Sequence, residues 1–145
     1  MTTLAWINEW HTRACHAPDQ RAFDVQLGCH LEEIVEMLDE LDVDGASVYQ
    51  HNAKTALHDL ATMLKKGHAF ARINNREKFL DSLADQVVTA VGSGYRAGMN
   101  MVQACSRVDR SNWSKFDENG HPIFDENGKI KKGPNYVEPD LSGLF

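Results

Sequence analysis

Apolar residues in the first three quarters of the chain recur at steps of three and four. Phe23, Leu27, Leu31, Ile34, Leu38 and Leu41 keep this spacing, which lines one face of an α-helix and predicts a helix from about 20 to 41. After the turn-like DVDG the pattern resumes with Ala53, Ala56, Leu57, Leu60, Met63 and Leu64. It stops at KKG, where positive charge meets a glycine. A longer segment from about Arg76 to Arg107 carries Phe79, Leu80, Leu83, Val87, Val91, Met101, Val102 and Cys105. Gly92, Gly94 and Gly98 within it cost helix stability and mark a kink, a break or a close helix approach. A shorter amphipathic stretch, Leu4 to Ala14, precedes these three. No strand-type alternation competes before residue 110, so the expected fold is all-α, a bundle of four to five helices.

From Ser111 the chain changes in kind, becoming rich in Gly, Asn, Asp and Pro and repeating FDENGHPI as FDENGKIK. Each DENG reads as a tight turn, and the residues between the turns predict a small hairpin. The repeat is not an EF-hand, which requires carboxyl groups at set positions, a Glu at the twelfth and a flanking helix on each side. The expected organisation is a helical bundle over 1–110 and an irregular tail over 111–145 that belongs to the same domain and completes its site.

Composition narrows the classes. A length of 145 residues with 42% hydrophobic and 25% charged residues fits one ordinary globular domain. No run approaches the roughly 18 apolar residues of a membrane span, and MTTLAWINEWHTRAC lacks the basic and apolar regions of a secretory leader. Three cysteines, an odd number at wide spacings, argue against a disulfide framework and for a reducing compartment. The expectation is a cytoplasmic protein with no membrane partner. A net charge of −6 disfavours nucleic acid, which is bound chiefly through Lys and Arg on phosphates. The Cys-His pairs at Cys15–His16 and Cys29–His30 have no zinc-finger or zinc-ribbon spacing around them.

One stretch resists the reading of a plain core helix. Glu32, Glu33, Glu36, Asp39, Glu40, Asp42 and Asp44 fall between Leu31 and Asp44 with no Lys or Arg among them. At the helical rotation per residue, Glu32, Glu33 and Glu36 lie within an arc of about 100°. Like charges at these spacings repel. A hard divalent cation, which takes oxygen ligands, relieves that repulsion. The segment DSLADQ adds Asp81 and Asp85 one helical turn apart, beside Leu83 and Val87. Acidic runs are also commonly solvated helix faces, and the pattern alone leaves both readings open.

EEIVE followed about fifty residues later by DSLADQVVTAVG resembles the two acidic helices of the all-α nucleoside triphosphate pyrophosphatases, the MazG-like and phosphoribosyl-ATP pyrophosphohydrolase-like superfamily. The tail stretches RSNWSK and GKIKKGPNYVEPDL are similar to the S-N-x-[ST]-K and G-K-x-x-K-G-P-x-Y-x-x-P-[DN] signature of a branch common in phages and bacteria. The similarity runs from about Ile7 to Leu141. Many relatives carry E-x-x-D in the second helix; here Ser82 stands at the Glu position, and Asp81 is taken as its substitute.

The resemblance implies a Mg²⁺-dependent enzyme, with Mn²⁺ as a substitute metal, that hydrolyses the α–β anhydride of a ribo- or deoxyribonucleoside triphosphate to the monophosphate and pyrophosphate. It implies Glu33, Glu36 and Asp85 as metal ligands with Asp81 beside them, and Glu32 as a further ligand or the group that orients the attacking water. Lys115, Lys129 and Lys132 would meet phosphates, and Asn112 would hydrogen-bond at the site. Trp6, Trp10, Trp113 and Tyr136 have faces suited to stacking on a base, a tolerant mode of recognition, with Trp10 and Tyr136 taken as the site residues. A homodimer or homotetramer is expected. Two other classes share the sequence evidence: an enzyme of the same fold acting on phosphoribosyl-ATP, and a helical nucleotide-binding or regulatory module without activity.

Overall fold

The computed structural model describes residues 2–15 and 18–145. Among these it has five helices and no strand: α1 (Thr3–Ala14), α2 (Gln20–Asp39), α3 (Ser47–Lys65), α4 (Arg76–Arg96) and α5 (Met101–Trp113). The all-α class expected from the periodicity is the class observed. No helix among the described residues is long and apolar enough to cross a membrane.

The long fourth segment is two helices. α4 ends in a glycine-terminated turn in which Gly98 (φ 80°) takes the left-handed conformation, with Gly98 N–H donating to Tyr95 O and Met99 N–H to Gly94 O. This is the pairing that satisfies the last carbonyls of a helix. Asn100 then caps α5 by accepting from the Gln103 N–H at 3.1 Å. Gly94 has a separate reason: a side chain there would collide with the side chain of Met101. Of the three possibilities a glycine-rich middle left open, Gly98 makes the break and Gly94 the close approach.

The chain forms two compact units. The first is the α2–α3 hairpin with the short segment Phe124–Lys129. Its helices pair along their lengths around Val25, Ala61 and Leu64, all buried. Both ends of the hairpin are clasped by side chains that bond backbone carbonyls. At the loop end, Gln50 Nε2 donates to Leu38 O at 2.7 Å and Leu41 O at 2.6 Å. At the other end, Arg21 donates to the last carbonyls of α3, those of Leu64 and Lys65. Carbonyls that a helix end leaves without partners are thus satisfied from the neighbouring helix.

Asp24 secures the segment that leaves this hairpin. Its side chain is 1% exposed, and Oδ1 accepts from the Ala71 N–H and from Gln20 Nε2, each at 2.9 Å. Asp24→Ala leaves the Ala71 N–H without its acceptor, and should cost about 2 to 3 kcal/mol of stability. Asp24→Asn keeps one acceptor oxygen and should recover most of that loss. Urea unfolding followed by circular dichroism measures both; an Ala variant as stable as the native chain would show that this contact contributes nothing.

The second unit contains α1, α4, α5 and the rest of the tail. α5 packs against α1 and α4, and Ala14 and Phe116 are the buried apolar residues there. An aromatic cluster joins α1 to the end of α5. Trp10 stacks on Phe116 with ring centroids 5.7 Å apart, and Trp113 meets Trp6 and Phe116 edge-on at 5.9 and 5.6 Å. The Trp10 indole donates to the Asn112 carbonyl at 2.9 Å.

The tail is sewn along α5 by polar contacts. Ser111 Oγ donates to Val137 O at 2.7 Å, and the Val137 N–H returns to Ser114 Oγ at 2.8 Å. Arg107 Nη1 donates to Asp140 O, and the Asn100 N–H to Leu144 O. Both DENG repeats form the same turn. Asp117 Oδ1 accepts from the Asn119 and His121 N–H groups, and Asp125 Oδ1 from those of Asn127 and Lys129. On either side of the second turn, the Lys131 N–H donates to Ile123 O at 2.9 Å, and Phe124 and Ile130 are single bridge positions. The expected hairpin is thus present at its smallest, around the second turn and without strands among the described residues.

Candidate functional site

The hairpin unit carries the acidic stretch. α2 holds Glu32, Glu33 and Glu36 on one edge, as the helical rotation requires. Glu33 and Glu36 are exposed, and among the described residues neither forms an ion pair with Lys, Arg or His. Further along the helix, Asp39 pairs with Lys54 of α3. Between Glu32 and Asp39, which each have a lysine partner, α2 therefore presents two exposed carboxylates with no close ion pair among the described residues.

Glu32 is held differently. Its Oε1 is bonded by the Lys65 ammonium from the end of α3, and its Oε2 lies 3.6 Å from Lys129 Nζ. Burial would raise the Glu32 carboxyl, but the hydrogen bond and charge of Lys65, joined by Lys129, hold it below the usual range. Burial equally works against the Lys129 charge, and the negative charges of Cys29 and Glu32 more than offset it, so that ammonium titrates above its ordinary value. Cys29, half-buried four residues after Val25, has its thiol pushed up chiefly by burial. Two cations, from the end of α3 and the second DENG turn, are thus drawn to Glu32, and the charge of Glu33 also acts on Lys129.

The second unit carries the other candidates. Asp81 and Asp85 are exposed on α4, a helix that buries none of its residues. Asn112 lies in the last turn of α5. It borders a cavity of about 240 Å³ lined by Ile7, Met101, Ala104, Cys105 and Val108, with Asp109 also at its wall. Burial raises the Asp109 carboxyl. The backbone carbonyl of Lys115 sits under Gly133, where a Cβ would stand 2.8 Å from it. The glycine of KGP is therefore required for the tail to lie against the end of α5. Lys132 Nζ is 4.5 Å from the Tyr136 ring centroid and 3.7 Å from Glu138. Trp10, expected to face a base, is stacked on Phe116 with its N–H engaged.

The residues named from the sequence accordingly fall into two sets. Glu32, Glu33, Glu36 and Lys129 belong to the hairpin unit; Trp10, Asp81, Asp85, Asn112, Lys115, Lys132 and Tyr136 belong to the other. Lys65, which the spacing did not single out, joins the first set. His16 lies outside the described residues.

Among the described residues no group of three or more His, Cys, Asp or Glu converges to hold a metal ion. The α2 edge still fits a hard divalent cation in kind, since Glu33 and Glu36 supply exposed oxygen donors one turn apart, neither bonded to an ammonium among the described residues. Mg²⁺ is commonly held by one or two carboxylates, with water and substrate phosphates completing its shell. No family model, curated protein or solved structure matches the chain.

Proposed function

We propose that this chain is a Mg²⁺-dependent nucleoside triphosphate pyrophosphohydrolase. The observation that supports it most is the charge arrangement along α2: Glu33 and Glu36 exposed and without an ion pair among the described residues, directly beside a Glu32 that gathers Lys65 and Lys129. A polyphosphate bound with its cation presents both signs of charge, and this edge offers a partner for each. A lone acidic face supplies one sign only. The motif resemblance adds Asp81 and Asp85 as the remaining acidic ligands and the tail cations as phosphate contacts.

Bound Mg²⁺ would supply charge neutralisation on the phosphate oxygens and a lowered pKa for bound water. The protein's own part is to place carboxylates and cations. Glu33 and Glu36 would hold the cation, and Glu32 would either join them or orient the water consumed in cleaving the α–β anhydride. Lys129 stands near enough to α2 to exchange its partner Glu32 for a phosphate oxygen.

A panel of ribo- and deoxyribonucleoside triphosphates, with Mg²⁺ and anion-exchange separation of products, tests the reading. Monophosphate and pyrophosphate in equal amounts are the expected products. Diphosphate and orthophosphate as first products would overturn it, as would the absence of hydrolysis across the panel. The same reading takes the chain as a homodimer or homotetramer. Its support is the apolar surface of α4, where Leu80, Val87, Val88 and Val91 are exposed, and sedimentation of the full chain tests it.

A further inference from the structure

Gly28 stands in the middle of α2, where a glycine weakens a helix by about 1 kcal/mol relative to alanine. Its reason lies on the facing helix. A Cβ at this position would stand 2.6 Å from Lys65 Cγ and 2.9 Å from the Ala61 carbonyl oxygen. The missing side chain is the passage through which the Lys65 stem crosses α2, and one turn further on its ammonium meets Glu32 Oε1. The backbone of Lys65 is fixed as well. Its carbonyl accepts from Arg21, and Gly67 (φ 72°) closes the helix immediately after it.

The two cations on Glu32 are not equivalent. The Lys65 side chain is 20% exposed and comes from the clasped hairpin; that of Lys129 is 48% exposed and comes from a surface turn. Lys65 is therefore the standing partner. Besides these two, Cys29 and Glu33 on α2 are the ionisable groups that bear on this cluster.

We infer that Lys65, admitted by Gly28, is a positioning residue for Glu32: it keeps that carboxylate from joining Glu33 and Glu36 as a cation ligand and aims it at the attacking water. The assignment rests on the pyrophosphohydrolase reading. It decides between the two roles open to Glu32, and it gives a helix-ending lysine a part that its position in KKG does not suggest.

The test uses the full chain with Lys65→Met, Lys65→Arg, Glu32→Gln and the Lys65→Met/Glu32→Gln double variant. Urea unfolding by circular dichroism needs no turnover: the double variant should lose clearly less stability than the sum of the single losses. In kinetics, Lys65→Met should lower kcat on the order of 100-fold, with KM for the nucleotide changed by less than about threefold. Lys65→Arg should restore most of kcat. Additive stability losses, or a kcat equal to that of the native chain, overturn the inference. So does a large rise in KM with kcat retained, which would make Lys65 a phosphate contact. A native chain that hydrolyses no nucleotide removes the enzymatic reading by itself, and the stability cycle then decides whether Lys65 holds Glu32.

Discussion

Glu36→Gln and Asp85→Asn are each expected to lower nucleotide turnover on the order of 10²- to 10³-fold, the usual cost of removing one preorganised electrostatic group from a site where charge develops. Each substitution keeps size and hydrogen-bonding shape and deletes only charge. Glu36 is exposed and has no ion pair among the described residues, so its loss removes none there. It also relieves repulsion between Glu33 and Glu36, one turn apart on α2. The melting temperature should therefore stay level or rise slightly while activity collapses, a combination that a merely structural role cannot produce. Asp85 tests the other acidic segment by the same logic. Near-native turnover of either variant at saturating Mg²⁺ would remove that residue from the site. Asp81→Asn, measured alongside, shows whether the aspartate before Ser82 takes the place of the missing glutamate.

Phe116→Ala is expected to be the most destabilising single change, at about 3 to 4 kcal/mol. The ring is 5% exposed and packs against Trp10 and Trp113 together, so its removal leaves a cavity between two large rings that are tethered elsewhere. Trp10 is tied to the Asn112 carbonyl and Trp113 lies under the Arg13 guanidinium, which limits how far either can move to fill the space. All three tryptophans belong to this unit. Fluorescence-detected urea unfolding therefore reports on it alone, and an unchanged midpoint would show that the cluster contributes little. A chain ended at Arg110 removes Trp113, Phe116 and the Ser111 contact with Val137 together, and should unfold earlier still.

The parts of the fold that the sequence reveals are those where burial and periodicity coincide. α2 was expected over 20 to 41 and spans Gln20–Asp39. α3 begins at Ser47, six residues before the apolar run starts, because Val48, Tyr49 and the residues around them are exposed and leave no periodic trace. The change of composition at Ser111 is not an element boundary. α5 continues to Trp113, since the Ser111 hydroxyl is buried against a tail carbonyl rather than turning the chain.

The candidate site divides in the same way. The carboxylates of α2 are legible because one helix carries them all. Lys65 is not, for it lies 33 residues from Glu32 and reads as an ordinary helix-ending charge. The one trace of it in the sequence is Gly28, a helix-weakening residue four positions before Glu32, and its meaning depends on what crosses it.

The twin turns have a consequence for how Lys129 reaches α2. Each closes on its own aspartate within five residues, so its shape depends on nothing distant. The turn that bears Lys129 therefore has its own hydrogen bonds, independent of the contact with α2. Bringing the ammonium to Glu32 costs the freedom of one side chain and the seating of a rigid loop, not the ordering of a flexible strand. Preorganisation of this kind lets a weak, exposed ion pair form and release without the tail refolding each time.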